Sequence, residues 1–101
     1  MADPTTTLKP ETKVKPERPK LWKVILLNDD FTPRDFVVAV LKRVFRMTED
    51  EALGVMITAH KQGACVVAVF TKEVAEDKAN LATETGARRG YPLTFTTERE
   101  E

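Results

Sequence analysis

The point where an apolar strand pattern runs directly into three polar residues constrains this chain more than any other sequence feature. Residues 22–27 are apolar and β-favouring except for Lys23, a pattern typical of a strand with one buried face. The polar residues that follow are Asn28, Asp29 and Asp30. This junction therefore places amide and carboxylate oxygens beside an apolar surface.

Two helices are predicted after this junction. A Thr-x-x-Asp capping box at Thr32 and Asp35 starts the first helix, which helical apolar spacing extends over about 33–45. The same capping pattern recurs at Thr48, where a second helix begins. We expect this second helix to end just before Gly63, because glycine is the usual residue after a last helical turn.

The rest of the sequence predicts a strand, a helix and a strand. The continuous apolar run 64–70 is typical of a central strand buried on both faces. Thr71 can cap a third helix that carries Val74, Ala75, Ala79 and Leu81, and alternation over 91–97 predicts a third strand. The expected fold is a two-layer α+β domain of order β-α-α-β-α-β, in which helices pack on one face of a three-stranded antiparallel sheet.

Composition excludes several classes of function. The chain has 101 residues with 16 basic and 16 acidic side chains, so no net charge attracts it to nucleic acid or anionic membrane. No apolar stretch approaches the roughly 20 residues needed to span a bilayer, and the N-terminus lacks the apolar run of a secretion signal. We therefore expect a monomeric cytoplasmic protein that binds neither nucleic acid nor membranes.

The domain boundaries follow from a shift in composition. Residues 1–20 are rich in proline and alternating charge and contain almost no large apolar side chains. Such a segment buries too little surface to offset the entropy that it would lose on ordering. We expect 1–20 to be a flexible N-terminal extension, 21–98 to form the folded domain and 99–101 to be a short tail.

The polar junction and the single histidine together suit a ligand with a cationic head and an apolar side group. A protonated α-amino group presents up to three N–H donors, which an Asn carbonyl, an Asp carboxylate and a ring nitrogen of His60 can accept. An apolar pocket beside them adds selectivity, because burying a Leu or Phe side chain contributes roughly 1.5 to 3 kcal/mol. A free peptide N-terminus with a bulky first side chain is such a ligand.

Each of these residues also has a simpler structural explanation. Asn and Asp residues after a strand commonly bond nearby backbone N–H groups in turns. His60 lies in the last turn of the predicted second helix, where its charge interacts favourably with the helix dipole. Met56, one turn earlier, is compatible with ordinary core packing. The residue types alone leave these explanations open.

Three separated blocks of the sequence resemble the ClpS family, the bacterial adaptors that deliver proteins with destabilising N-terminal residues to the Clp protease. The blocks are Lys23-Val-Ile-Leu-Leu-Asn-Asp-Asp-Phe-Thr-Pro33, His60-Lys-Gln-Gly63 and Val69-Phe-Thr-Lys-Glu-Val-Ala-Glu-Asp-Lys78. The resemblance covers about 22–93. It implies the fold order given above and an adaptor that accepts N-terminal Phe, Tyr, Trp or Leu.

The resemblance also assigns roles to particular residues. Those expected to hold the α-amino group and adjoining backbone are Asn28, Asp29, Asp30 and His60. Those expected to line the side-chain pocket are Leu26, Leu27, Thr32, Arg34, Val37, Met56, Ala59 and Leu93. Glu73 and Lys78 match positions that dock on the N-terminal domain of the unfoldase ClpA, and the extension matches the part that enters the ATPase during delivery.

Two pocket positions depart from the family pattern. Arg34 replaces a methionine that is common at the pocket mouth, and Ala59 replaces a larger branched residue. An unpaired guanidinium is costly to bury, so we expect Arg34 to point outward or to lie against a ligand ring. A wider pocket and a stacking guanidinium both favour aromatic first residues over leucine. Such differences are compatible with a divergent second copy of the adaptor.

An enzyme and a plain interaction domain are the alternative functions. One histidine supplies too few ligands for a transition-metal site, Cys65 lies in an apolar strand where an inert thiol is expected, and no glycine-rich phosphate loop is present. We therefore predict no catalysis, metal or cofactor. An α+β protein-interaction or ribosome-associated domain without a peptide pocket is the second alternative, because one fold serves many functions.

Overall fold

The computed structural model describes residues 18–101, so nearly all of the predicted extension lies outside the described residues. The elements are β1 (Leu21–Leu27), α1 (Arg34–Phe45), α2 (Glu49–Gln62), β2 (Ala64–Thr71), α3 (Lys72–Ala87) and β3 (Thr94–Arg99). Their order and the three-stranded antiparallel sheet are those predicted from the sequence. The predicted α+β fold class is therefore confirmed.

The order of strands in the sheet corrects one prediction. The order is β2-β1-β3, so β1 is the central strand and the apolar run over 64–70 is an edge strand. Val66 and Val69 of β2 are 47% and 37% exposed, so this strand is not buried on both faces. An apolar run identifies side chains that favour burial, but it does not say whether a strand pairs on each edge or whether a layer packs on each face.

The two predicted capping boxes have different outcomes. Pro33 occupies the N-cap position of α1 and has no side-chain group that could cap the helix, while Thr32 lies one residue earlier and its hydroxyl donates to the Asp29 carboxylate. At α2 the box is present: Glu51 N donates to the Thr48 hydroxyl, and Thr48 N donates to the Glu51 carboxylate. The Thr32 box was therefore wrong, because α1 begins one residue later than the box requires.

Small residues form the packing face of α3. The buried residues of this helix are Ala75, Ala79, Ala82 and Gly86. Ala75 and Ala79 are among the apolar residues named for this helix from the sequence, whereas Val74 and Leu81, named with them, are 41% and 47% exposed. Thr71 occupies the N-cap position but makes no side-chain cap bond there, so that predicted cap was also wrong. Small side chains allow the helix to approach the sheet closely.

The core lies between β1 and the three helices and fixes the position of the end of β1. Val24 of β1 and Leu41 of α1 are fully buried, and Leu26 is almost so. Phe45 stacks on Phe95 of β3, with ring centroids 5.5 Å apart. Because interiors are close-packed, these contacts leave the carboxyl end of β1 in one place relative to α1 and α2.

Candidate functional site

One cavity of about 460 Å³ forms where β1 ends, bordered by α1, α2 and the residue preceding β3. This volume is in the range of small-ligand pockets. Every residue of both predicted groups lines it. These residues are Leu26, Leu27, Asn28, Asp29, Asp30, Thr32, Arg34, Val37, Met56, Ala59, His60 and Leu93. Segments that are distant in the sequence thus border a common space, as the proposed ligand requires.

A backbone hydrogen bond joins the two polar parts of this cavity. Asn28 N donates to the Gly63 carbonyl at 3.0 Å, which ties the end of β1 to the end of α2. Gly63 ends α2 with φ of 90°, a left-handed conformation that glycine adopts without a steric penalty. His60 lies in the last turn of the same helix. The strand end and this histidine are therefore held at one edge of the cavity.

Asp29 orders the turn between β1 and α1. Its Oδ1 accepts from the backbone N–H groups of Phe31 at 2.8 Å and Thr32 at 2.7 Å. The Thr32 hydroxyl lies 2.9 Å from Oδ2, and Thr32 is only 8% exposed. These bonds form a local side-chain turn of the kind that Asp residues favour. Much of the acceptor capacity of this carboxylate is therefore used within the chain.

The other polar residues of the cavity remain available to a ligand. The side chains of Asn28, Asp30 and His60 are exposed and form no hydrogen bond or ion pair with any other residue of 18–101. Together they offer an amide oxygen, a carboxylate and an imidazole nitrogen. Hydrogen bonds between an ammonium group and a carboxylate are about twice as strong as neutral ones. A cationic donor group would find both acceptors and charge compensation here.

The inner part of the cavity is apolar and the outer part is mixed. Leu26, Ala59 and Leu93 are each 2% exposed, and Val37 is also buried, so these side chains form a fixed floor. Arg34 lines the cavity but is exposed to solvent, which leaves its guanidinium hydrated at the mouth. A ligand side chain that enters this cavity therefore exchanges water for hydrocarbon contacts.

Four cavity residues were missing from the sequence prediction. They are Phe31, Pro33, Ile57 and Lys61. Phe31 is 80% exposed and Ile57 is 45% exposed, so both present apolar surface at the rim. Lys61 follows Ile57 by four positions on α2 and therefore shares its face. Ile57 also precedes His60 by three positions, so helical spacing from His60 could have identified Ile57 and then Lys61.

Further observations concern metal-binding groups, membrane-spanning helices and Cys65. Within residues 18–101, no group of three or more His, Cys, Asp or Glu side chains is placed to hold a metal ion, and no helix is both long and apolar enough to cross a bilayer. Cys65 is half-buried and its Sγ lies 3.5 Å from the Val66 carbonyl oxygen. Desolvation by burial raises the pKa of the Cys65 thiol, which makes it a weaker nucleophile.

Glu73 and Lys78 lie on α3, away from the cavity. Glu73 is exposed in the first turn. The Lys78 ammonium donates to the Val44 carbonyl at 3.1 Å and lies 5.7 Å from the centroid of the Phe70 ring. Lys78 therefore satisfies a carbonyl at the C-terminal end of α1, a structural role that its sequence position does not reveal.

Comparison with known proteins gives concordant matches over nearly the whole chain. Residues 17–96 match the family described as ATP-dependent Clp protease adaptor protein ClpS. Adapter protein ClpS 2 of Mesorhizobium japonicum is 67% identical over 100 residues, which cover 97% of this chain and 99% of the relative. Adapter protein ClpS 1 of Bradyrhizobium diazoefficiens is 66% identical over 101 residues, which cover 100% of both chains.

A solved structure is similar as well. The structure of Agrobacterium tumefaciens ClpS2 bound to L-phenylalaninamide is 59% identical in sequence and has a TM-score of 0.81. The match covers 82% of this chain and 100% of that chain. The similarity therefore extends to three-dimensional structure.

Substitution of Asp29 and Asp30 one at a time should distinguish the aspartate that stabilises the turn from the one whose carboxylate is exposed in the cavity. Asp29→Ala removes the acceptor of two backbone N–H groups and should lower the free energy of unfolding by about 1 to 2 kcal/mol. Asp30→Ala, at an exposed position that pairs with no other residue of 18–101, should change it by less than about 0.5 kcal/mol. Chemical denaturation of both variants measures the difference. Equal stabilities would contradict the turn role of Asp29.

Proposed function

The chain belongs to the ClpS family of Clp protease adaptors, and from this premise we propose that it binds the free α-amino group and bulky first side chain of protein substrates and delivers them to a Clp unfoldase-protease. The observation that supports this most strongly is a single cavity with free polar acceptors at its edge and an apolar floor. Its relatives bear the names ClpS 1 and ClpS 2, which agrees with the expectation of a second copy.

The ligand of the similar solved structure defines the chemistry of the proposed substrate. L-phenylalaninamide, bound to Agrobacterium tumefaciens ClpS2, carries a free α-amino group, a benzyl side chain and an amide where the next peptide bond would begin. It therefore represents the first residue of a polypeptide. In this protein, we assign the α-amino group to Asn28, Asp30 and His60. Asp29 holds the turn that presents them.

The apolar floor provides the selectivity of the proposed site. Leu26, Val37, Ala59 and Leu93 are buried and can contact only a side chain long enough to reach them. Phe, Tyr, Trp and Leu meet this requirement, and burial of such a side chain contributes roughly 1.5 to 3 kcal/mol. A small or charged first residue gains nothing comparable. The polar edge alone would bind every free N-terminus.

Blocking the peptide N-terminus tests the proposed function directly. Two peptides that begin with Phe and differ only in N-acetylation should be titrated by fluorescence anisotropy. Acetylation removes the charge and donors but keeps the ring, so it should reduce affinity by at least about 30-fold, the lower end of the effect of breaking a desolvated charge pair. In a matched control, Asp30→Ala should weaken binding of the free peptide only. Equal affinities for the two peptides would reject the proposal.

The two departures from the family pattern should shift selectivity toward aromatic residues. Peptides that begin with Phe should bind more tightly than matched Leu peptides, since a guanidinium stacked on a ring contributes about 0.5 to 1 kcal/mol at an exposed site. Arg34→Met should reduce this preference. Ala59→Val should reduce it as well, because added methyl groups restore contacts to a smaller side chain. Tighter binding of the Leu peptide by the unaltered protein would contradict this hypothesis.

Delivery is proposed to use α3 and the N-terminal extension. Glu73 and Lys78 would dock on the N-terminal domain of a ClpA-type unfoldase, with residues 1–20 as the extension that takes part in delivery. This proposal treats the protein as a monomeric cytoplasmic adaptor rather than an enzyme. Support comes from the family membership and from the exposed position of Glu73 on α3.

Substitutions at these two positions should have different effects on stability. Glu73→Ala should weaken binding to the unfoldase N-terminal domain without changing the melting temperature. Lys78→Ala should weaken binding and also lower the free energy of unfolding by about 1 kcal/mol, because the Val44 carbonyl loses its donor. Calorimetric titration and thermal melts measure both quantities, with Lys72→Ala as a control on the same helix. Unchanged partner affinity in both variants would exclude α3 as the docking surface.

A further inference from the structure

The pocket wall formed by Leu93 rests against a glycine of α3. A Cβ atom placed on Gly86 would lie 2.9 Å from Leu93 Cβ, closer than real Cβ atoms pack. Leu93 also lines the cavity, and it is only 2% exposed. The missing side chain at Gly86 therefore determines how far Leu93 lies from the cavity centre.

Hydrogen bonds hold the segment around Leu93 against α3 on both sides. Tyr91 N donates to the Gly86 carbonyl at 2.9 Å, and Phe95 N donates to the Thr83 hydroxyl oxygen at 2.9 Å. Because Cβ is bonded directly to the backbone, no rotamer change of Leu93 can relieve a contact at that atom. A side chain at position 86 would therefore have to displace the backbone of this segment.

The direction of that displacement follows from the packing. Gly86 and Ala82 are buried on the α3 side, where a close-packed interior leaves no room. The cavity of about 460 Å³ that Leu93 lines is the open space next to this segment. A larger residue at position 86 would thus move Leu93 into the pocket and make the pocket shallower.

We propose that Gly86 is a positioning residue that sets the depth of the pocket through Leu93 and so determines how large a first side chain the pocket accepts. Gly86 itself does not line the cavity. The inference rests on the proposed function, since it concerns the same site. Tryptophan, the largest accepted side chain, is the most sensitive to depth, and leucine is the least.

The test compares two glycine-to-alanine substitutions within helices. Gly54 of α2 is exposed and a Cβ atom placed on it meets nothing within 4 Å, so Gly54→Ala is the matched control for Gly86→Ala. Each variant is titrated with free peptides that differ only in a first Trp or Leu. Gly86→Ala should lower the affinity for Trp relative to Leu by about tenfold, a typical effect of one methylene-sized change in an apolar pocket. Gly54→Ala should leave the ratio unchanged.

A substitution of Leu93 should move the same ratio in the opposite direction. Leu93→Ala keeps Cβ but removes the rest of the side chain, so it should deepen the pocket and raise the affinity for Trp relative to Leu. An unchanged ratio in Gly86→Ala or Leu93→Ala would overturn the inference. Failure of Gly86→Ala to fold, with Gly54→Ala folded, would also overturn it, because the cavity would not have accommodated the displacement. If the unaltered protein binds neither peptide, the proposed function itself fails.

Discussion

The backbone hydrogen bond from Asn28 to Gly63 is the contact on which the rest of the site depends. It closes the pairing of β1 with β2 at the point where α2 has just ended, so it joins the polar strand end to the helix that carries His60. Gly63 makes this possible because its left-handed conformation turns the chain from helix into strand without a spacer. The position of the site thus follows from the way in which α2 leads directly into β2.

Asp29 and Asp30 are adjacent and of the same type, but their surroundings in this site differ. Asp29 is bonded to the backbone N–H groups of Phe31 and Thr32 and shapes the turn, whereas Asp30 remains unpaired among the described residues. A carboxylate whose acceptor capacity is largely used within the chain has less left for an ammonium group. We therefore expect Asp29 to contribute mainly to stability and Asp30 to ligand affinity, although the sequence presents them as equivalent.

The helices and strands could be predicted from local sequence patterns. The order of the strands and the packing faces of the helices could not, because they depend on tertiary contacts. Hydrophobic spacing and the Thr48 capping box depend on neighbours in the sequence, and both agree with the structure. The edge position of β2 and the small packing face of α3 depend on which surfaces meet, so the sequence did not distinguish the exposed Val74 and Leu81 from the buried alanines of the same helix. Of the cavity residues predicted from the sequence, the polar ones followed from their chemistry and most of the apolar ones from the family resemblance. Gly86 was not among them, because its importance appears only when Leu93 is placed against it.

We propose that two residues set the size of this pocket, one in its wall and one behind the wall. Ala59 removes bulk from the wall itself, and Gly86 allows Leu93 to lie back from the cavity although it is not part of the lining. Both act in the same direction, toward a pocket that loses contacts with a small side chain and accommodates a large one. Because they act on different walls, their effects on binding free energy should combine nearly additively as long as no shared neighbour moves. The proposed selectivity for aromatic first residues would then depend on the packing behind the pocket as much as on the residues that touch the ligand.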